Sequence, residues 1–477
     1  MTVLLPFVIN AGMNFVLGLL VALFLGPDEF GRYAIGAAII VLVNTALMDW
    51  LKLSAVRFYS QGTRQSQPEI RATLDLLAAG ISLSLCALLV AAVAAGLDLR
   101  LPAMLVSAAV LAGITAGLFD YHGAIARARY LDAAYARMML VKNLLGLVLM
   151  VGGAWWLRDA TMVLLGGLAS TAASLLAVRR ALADAPLALR GFRKDLAWSF
   201  ACYALPLVAG NAIYSLIPLI NRSLLAGAHG FAEAGYFSLA SDIGLRLFGT
   251  LGAGIEIVLL REILRLEETK GRAAARRRIA RNLPLVLLIA LPAAVGLLCI
   301  LPAFERLMVP QSFRGSFSAY MTPLLPGFLA IALFQAALYP VFLVEKRTLV
   351  APLAALLALA VNLLLGAWLA GSAGPLGYGL AQSAAFLTVL AVTGFVALRN
   401  LPAPPLRDSG LVILAALLMA VAIWPLRDRF AALPELALQL GIGGIVYGAV
   451  LLAADALHGR TLLRLWWLAR RSRRPAP

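Results

Sequence analysis

The sequence predicts an all-α, polytopic membrane protein of about fourteen transmembrane helices: two pseudo-symmetric six-helix lobes plus two accessory C-terminal helices. Three observations carry this expectation. The 477 residues are 62% hydrophobic and 13% charged, with a mean hydropathy of +0.92, whereas a soluble domain carries about 25% charged residues. Apolar stretches near the roughly 20 residues that cross a hydrocarbon layer as a helix recur along the whole chain, with short polar punctuation between them. The basic residues fall on alternate sides of those stretches, as membrane topology distributes them, so the net charge of +17 does not point to nucleic acid. A β-barrel would alternate in segments of about ten residues, and no such alternation dominates.

In chain order the expected spans are 3–25, 31–51, 73–95, 101–121, 138–157, 161–178, 198–221, 233–260, 283–301, 319–343, 349–370, 376–398, 409–426 and 434–456. The first has neither the basic region nor the small-residue cleavage site of a removable signal, so it is expected to stay as a helix. The second, eighth and tenth contain or abut charged groups. Gly113 and Gly117 in the fourth span, and Gly444 with Gly448 in the last, have the GxxxG spacing that lets helices approach closely. Pro206 and Pro218 interrupt the seventh span, and Pro284 and Pro292 the ninth. Each favours a kink, static or moving. The Pro-rich segment Leu401–Asp408 precedes the last two spans.

Loops after even-numbered spans hold 30 of the 40 Lys and Arg, among them Arg57, Arg64, Arg71 and the eight from Arg261 to Arg281, while the opposite loops hold eight. The positive-inside rule then puts both termini in the cytoplasm. Losing one span would exchange the sides of every later loop, so the same partition supports the count. Two basic amphipathic stretches, Arg190–Phe200 and Arg460–Arg474 with Trp466 and Trp467, suit the headgroup layer and imply contact with anionic inner-leaflet lipids.

An internal repeat marks the lobes. The segment Gly26–Gly36 reads GPDEFGRYAIG and His229–Ala240 reads HGFAEAGYFSLA, with Glu29, Gly31 and Tyr33 opposite Glu233, Gly235 and Phe237. Upstream, Pro6 with Asn10 resembles Pro206 with Asn211. Six spans per half bring both halves in from the same side, which implies a pseudo-two-fold axis along the membrane normal. The expected division is an N-terminal lobe at 1–180, a cytoplasmic linker at 181–197, a C-terminal lobe at 198–400, and accessory helices with a basic tail at 401–477.

Nothing in the sequence points to a catalytic centre. The histidines, His122, His229 and His458, are far apart, and there is no HExxH motif or P-loop. Cys86, Cys202 and Cys299 lie singly in apolar spans without CxxC spacing, which argues against a disulfide framework or a thiol metal site. The informative residues are polar groups at membrane depth, which must face protein or water. Asp242 and Arg246 fall near the middle of the eighth span at i, i+4 spacing, either as a structural ion pair or as the wall of a polar cavity. Asn10, Asn14, Asn44 and Asn211 lie at intermediate depth, as helix glue or as partners for a hydroxyl-rich ligand. Lys142 sits about one turn inside the fifth span, within snorkelling reach of the interface. Asp49, Lys52 and Arg57 form a boundary cluster or a substrate entrance, and Arg222 reads as an interfacial anchor.

The segments FLGPDEFGRYAIGAAIIVLVN (Phe24–Asn44), MDWLKLSAVRFYSQG (Met48–Gly62) and PAAVGLLCILPAFERLMVP (Pro292–Pro310) resemble the polysaccharide-transport, Wzx-type branch of the multidrug/oligosaccharidyl-lipid/polysaccharide flippase superfamily. The resemblance covers roughly residues 1–400. It implies two six-helix lobes flanking a central cavity, and alternating-access movement of undecaprenyl-diphosphate-linked sugars between leaflets, in a Gram-negative inner membrane. It also implies cationic groups facing the diphosphate from the first, second and eighth spans. Arg246 matches in the eighth and Arg57 borders the second, while the first offers only Asn10 and Asn14. No cofactor is expected, and a coupling ion, H+ or Na+, is left open. Polysaccharide polymerase or glycosyltransferases are the candidate protein partners. The rival readings are a cation-coupled multidrug exporter of the same superfamily, with Asp49, Asp242 and Glu256 as its available acids, and a non-transporting subunit of a polysaccharide synthase or export complex.

Overall fold

The computed structural model describes residues 4–96, 101–184, 191–345, 347, 349–399, 401, 402 and 405–456, with side chains from Gly12 onward, Ile257 apart. The basic tail Arg460–Arg474 and Arg190 of the other amphipathic stretch lie outside the described residues. Among those described, every regular element is helical.

Among the described residues, thirteen helical runs are long and apolar enough to cross a membrane. The first, Gly12–Phe58, has 47 residues, about 70 Å at 1.5 Å per residue, more than twice the roughly 30 Å of hydrocarbon. It holds the first two expected spans, and the thirteen runs thereby account for all fourteen. Its helix α1 (Leu4–Val43) is broken at Gly26, whose φ of 73° and ψ of 174° leave the helical region just before Pro27. Only a residue without a Cβ takes that conformation freely. A π-helical turn (Asn44–Met48) and α2 (Asp49–Phe58) complete the run.

The chain divides into two compact units, Met1–Ser241 with Ala355–Gln382, and Asp242–Ala354 with Ser383–Pro477. In the first unit, α3 (Gln61–Ser66), α4 (Pro68–Ala94), α5 (Ala103–Ala128), α6 (Asp132–Gly152), α7 (Ala160–Leu182) and α8 (Lys194–His229) follow, then the start of α9 (Phe231–Lys270). Met48, Leu51, Leu74, Tyr121, Ile125 and Phe200 form a buried core. The glycines Gly113 and Gly117 work as their spacing suggests, because Cβ atoms there would lie 2.7 Å from Val43 Cβ and 2.3 Å from Met48 Cβ. The N-terminus of α7 carries two carboxylate caps: Met162 N donates to Asp159 (2.9 Å) and Ala160 N to Glu29 (2.9 Å), which suits its partial positive charge.

The internal repeat has a physical counterpart. Gly230, 204 residues after Gly26, has nearly the same backbone (φ 93°, ψ 165°) ahead of α9. At the same offset, Gly31 of α1 faces Gly235 of α9. A Cβ on Gly31 would lie 1.9 Å from the Phe231 carbonyl oxygen, and one on Gly235 would lie 2.1 Å from that of Pro27. The two crossing helices thus touch backbone to backbone, each contact mirrored by the other.

The second unit contains the rest of α9, α10 (Arg272–Ala280), α11 (Asn282–Met308), α12 (Ser316–Leu333), a π-helical turn (Phe334–Leu338) and α13 (Tyr339–Val344). The helices α14 (Val350–Ser372) and α15 (Leu376–Leu398) straddle the division, and α16 (Leu406–Ile423) and α17 (Ala432–Ala453) end the chain's described part. Both accessory helices pack on α11 through Cys299, Met419, Ile423, Ile442 and Tyr447, and the Tyr447 hydroxyl donates to Leu288 O (2.8 Å). Gly444 and Gly448, by contrast, have open space beside them, so this second GxxxG pair makes no close helix contact among the described residues. Pro206, Pro218 and Pro292 lie inside helices as expected. Pro284 instead occupies the first turn of α11, where its missing N–H breaks little.

The start of α12 is held by Glu305, which accepts from Gly315 N (2.6 Å), Ser318 N (3.3 Å) and Ser318 Oγ (2.5 Å). Glu305→Ala is expected to cost about 1–2 kcal/mol, the range for losing a helix cap, measurable as a lower melting temperature of the purified protein with α-helical circular dichroism unchanged.

Candidate functional site

The polar residues of the second and fourth spans meet at the π-helical turn. Such a wide turn redirects the side chains that follow it, and here it carries Asn44, half-buried, whose Nδ2 donates to Asp120 Oδ2 (3.2 Å). Lys52 Nζ lies 2.5 Å from Asp49 Oδ1 and 3.7 Å from Asp120 Oδ2. One ammonium is thus shared by two carboxylates. Lys142 Nζ sits 4.3 Å from the centre of the Phe119 ring, a cation–π contact next in sequence to Asp120. Asn44, Lys142, Asp49 and Lys52 were all legible as candidates. Asp120, which links them, was not singled out by sequence, and its signal would have been an acid near the end of an otherwise apolar span.

A second network, unforeseen as a site, lies among the ends of α2, α4, α5 and α7. Arg71 Nε donates to Asp75 (2.7 Å), and the Tyr121 hydroxyl donates to the other oxygen of the same carboxylate (2.6 Å). Asp184 accepts from Tyr59 (2.8 Å) and Arg64 Nε (2.7 Å), with Arg129 Nη1 at 3.5 Å and Arg71 Nη1 at 3.9 Å. Burial works to raise the Asp184 pKa, but the hydrogen bonds from Tyr59 and Arg64 and the charges of Arg129 and Arg71 outweigh it and hold the carboxyl below its ordinary value. Burial, reinforced by the bond to Asp184, pushes the Tyr59 phenol up to about 12, so Tyr59 donates throughout the physiological range. A cavity of about 530 Å³ opens beside this network, bordered on its polar side by Arg71, Asp75, Thr115, His122, Arg179 and Asp184.

The remaining candidates are more dispersed. Arg57, Asn14 and Asn211 are exposed, and Arg57 makes no ion pair among the described residues. The side chain of Asn10 lies outside the described residues. In the second unit, Asp242 is half-buried and Arg246 exposed on α9. Arg222, read from sequence as an interfacial anchor, is instead 4% exposed and donates to the Ala34 carbonyl (3.0 Å). Asn221 and Asn362 exchange amide hydrogen bonds (3.0 and 2.8 Å), and Gln382 donates to Ser241 Oγ (3.2 Å). This buried, uncharged set joins α8, α9, α14 and α15, and its mutual satisfaction marks it as helix glue. Among the described residues no group of three or more His, Cys, Asp or Glu side chains is placed to hold a metal ion.

An all-helical fold with thirteen helical runs long and apolar enough to cross a bilayer among the described residues defines a polytopic membrane protein. No family model matches the sequence, and no curated protein matches it either. The fold is similar to that of the lipid II flippase MurJ in an inward closed conformation, with a TM-score of 0.76 at 14% identity over 96% of this chain and 99% of that one. It is also similar to an inward-facing multidrug resistance MATE family transporter of the MOP superfamily, with a TM-score of 0.57 at 14% identity over 81% of this chain and 93% of that one. The chain therefore has the fold of MOP-type transporters and flippases.

Proposed function

We propose that this chain is a flippase for lipid-linked oligosaccharide, moving an undecaprenyl-diphosphate-linked glycan across the inner membrane for lipopolysaccharide, capsule or exopolysaccharide synthesis. The observation that carries the reading is the likeness to a lipid II flippase along nearly the whole of both chains. In this proposal 1–180 and 198–400 act as the two lobes, the termini face the cytoplasm, and the lipid tail stays in the bilayer while diphosphate and sugar cross. An exposed guanidinium midway along an apolar helix, Arg246, supports a diphosphate grip, since a planar fork pairs well with phosphate oxygens. Asn14, Asn44 and Asn211 supply amides for sugar hydroxyls, Arg57 borders the entrance, and Lys142 in the first unit and Asp242 in the second are the remaining polar contacts proposed.

Multidrug export would need a free acid to couple a cation: Asp49 lies within reach of Lys52, and Glu256, half-buried and without an ion pair among the described residues, is an acid that reading could use. The test is translocation of a diphosphate-linked oligosaccharide by the full chain in liposomes. Arg246→Ala is expected to lower the rate at least tenfold, about 1.4 kcal/mol of lost stabilisation, with melting unchanged and partial recovery in Arg246→Lys. A parental rate in the alanine variant would remove Arg246 from the mechanism.

A further inference from the structure

Arg71 and Arg179 border the cavity of the first unit together with Asp75 and Asp184, and two further guanidinium groups, Arg64 and Arg129, stand behind Asp184. Arg64, Arg71, Arg129 and Arg179 stand against Asp75 and Asp184, leaving two guanidinium charges unmatched within the cluster. Both acids are already occupied by Arg71, Tyr121, Arg64 and Tyr59. Arg129 and the Nη1 of Arg71, though buried, lie 3.5 and 3.9 Å from Asp184, outside good hydrogen-bond distance. Arg179 borders the cavity, is exposed, and forms no ion pair among the described residues.

The α7 side of the cavity is largely apolar. Ala172, Leu175, Leu176 and Leu182 border the cavity from α7 at spacings of three, four and seven residues, so they form one stripe with Arg179 set inside it. Leu176 is 62% exposed, which suits contact with acyl chain. About 530 Å³ is within the range of small-ligand sites and has room for a headgroup. A basic pocket between membrane helices, floored by apolar side chains, fits an anion attached to a hydrocarbon tail.

We propose that this cavity is a phosphate-binding site, filled by the headgroup of an anionic membrane phospholipid and separate from the residues assigned to transport. The unmatched charge selects a net-negative headgroup over a zwitterionic one. Guanidinium forks engage two phosphate oxygens at once. Arg179 is the anion-facing side chain, while Arg71 and Arg129 set the local potential from fixed positions.

The experiment is thermal melting of the purified full chain with added phosphatidylglycerol, phosphatidylcholine or inorganic phosphate, in parental protein and in Arg179→Ala. Native mass spectrometry counts the lipids retained. Phosphatidylglycerol is expected to raise the apparent Tm by about 3–5 °C in the parental chain, with one lipid retained. Phosphatidylcholine should not, and Arg179→Ala should lose the rise. Leu176→Ser should weaken the response to phosphatidylglycerol and leave any response to free phosphate intact. A rise of equal size with inorganic phosphate, unaffected by Leu176→Ser, would keep the anion site and assign it to a free anion. Equal stabilisation by both lipids, or an unchanged rise in Arg179→Ala, overturns the site. None of these outcomes bears on the translocation result for Arg246→Ala.

Discussion

Asp184→Ala is expected to destabilise the protein by about 3 kcal/mol or more, the range for removing one member of a buried ion pair. The side chains of Arg71 and Arg129 are 8% and 7% exposed, and Asp184 is the one carboxylate that both approach. Its loss strands Arg129 in a poorly hydrated site and frees Tyr59 and Arg64. Asp184→Asn should cost less, because an amide oxygen still accepts from Tyr59 and Arg64, and the difference between the variants isolates charge from shape. The effect also has a pH signature. The Asp184 pKa is held below its ordinary value in the folded protein, so its contribution is fully present above the unfolded value near 3.9 and is lost as the pH falls through the folded one. Melting temperatures measured between about pH 7 and pH 3 should drop more steeply for the parental chain than for Asp184→Asn. Parallel curves would show that the carboxylate adds nothing to folding.

Gly31→Leu and Gly235→Leu are expected to be comparably damaging, each at or above the roughly 1–3 kcal/mol typical of overpacking. The atoms that a new Cβ meets are backbone carbonyls of the neighbouring helix, 1.9 and 2.1 Å away, and backbone cannot rotate aside as a side chain can. The helices must separate, carrying Arg32 off the Phe231 ring, 4.8 Å from it. Alanine should already be harmful at both positions, since the clash arises at Cβ. Gly249→Ala is the control, because nothing lies within 4 Å of its missing Cβ, and it should melt with the parental chain. Expression and melting of the five variants beside the parental chain in one detergent would decide it.

The transmembrane helices were readable from sequence because hydrocarbon leaves a chain so few options: backbone groups must bond within a helix, and the helix must be apolar for about 20 residues. Their ends were not, because helices here continue beyond the apolar stretch. The helix α9 runs to Lys270 and α8 starts at Lys194, although hydropathy ends one near 260 and begins the other near 198. The polar sites were legible where a pair sits one turn apart, as Asp49 and Lys52 do. They were hidden where partners are remote, as with Asn44 and Asp120, 76 residues apart, or Tyr59 and Asp184, 125 apart. Arg222 shows the other failure. A cation at the end of an apolar span normally reaches for water, but α8 continues past Arg222 to His229, and only the packing of Ala34 alongside reveals a carbonyl that takes water's place.

The crossing of α1 and α9 has the logic of an isologous interface: residue i of one partner meets j of the other, and j of the first meets i of the second. Shifted by 204 residues, Pro27 becomes Phe231 and Gly31 becomes Gly235, and the contact maps onto itself. The crossing therefore carries a local two-fold, so a group that wedges one glycine open loosens its counterpart as well.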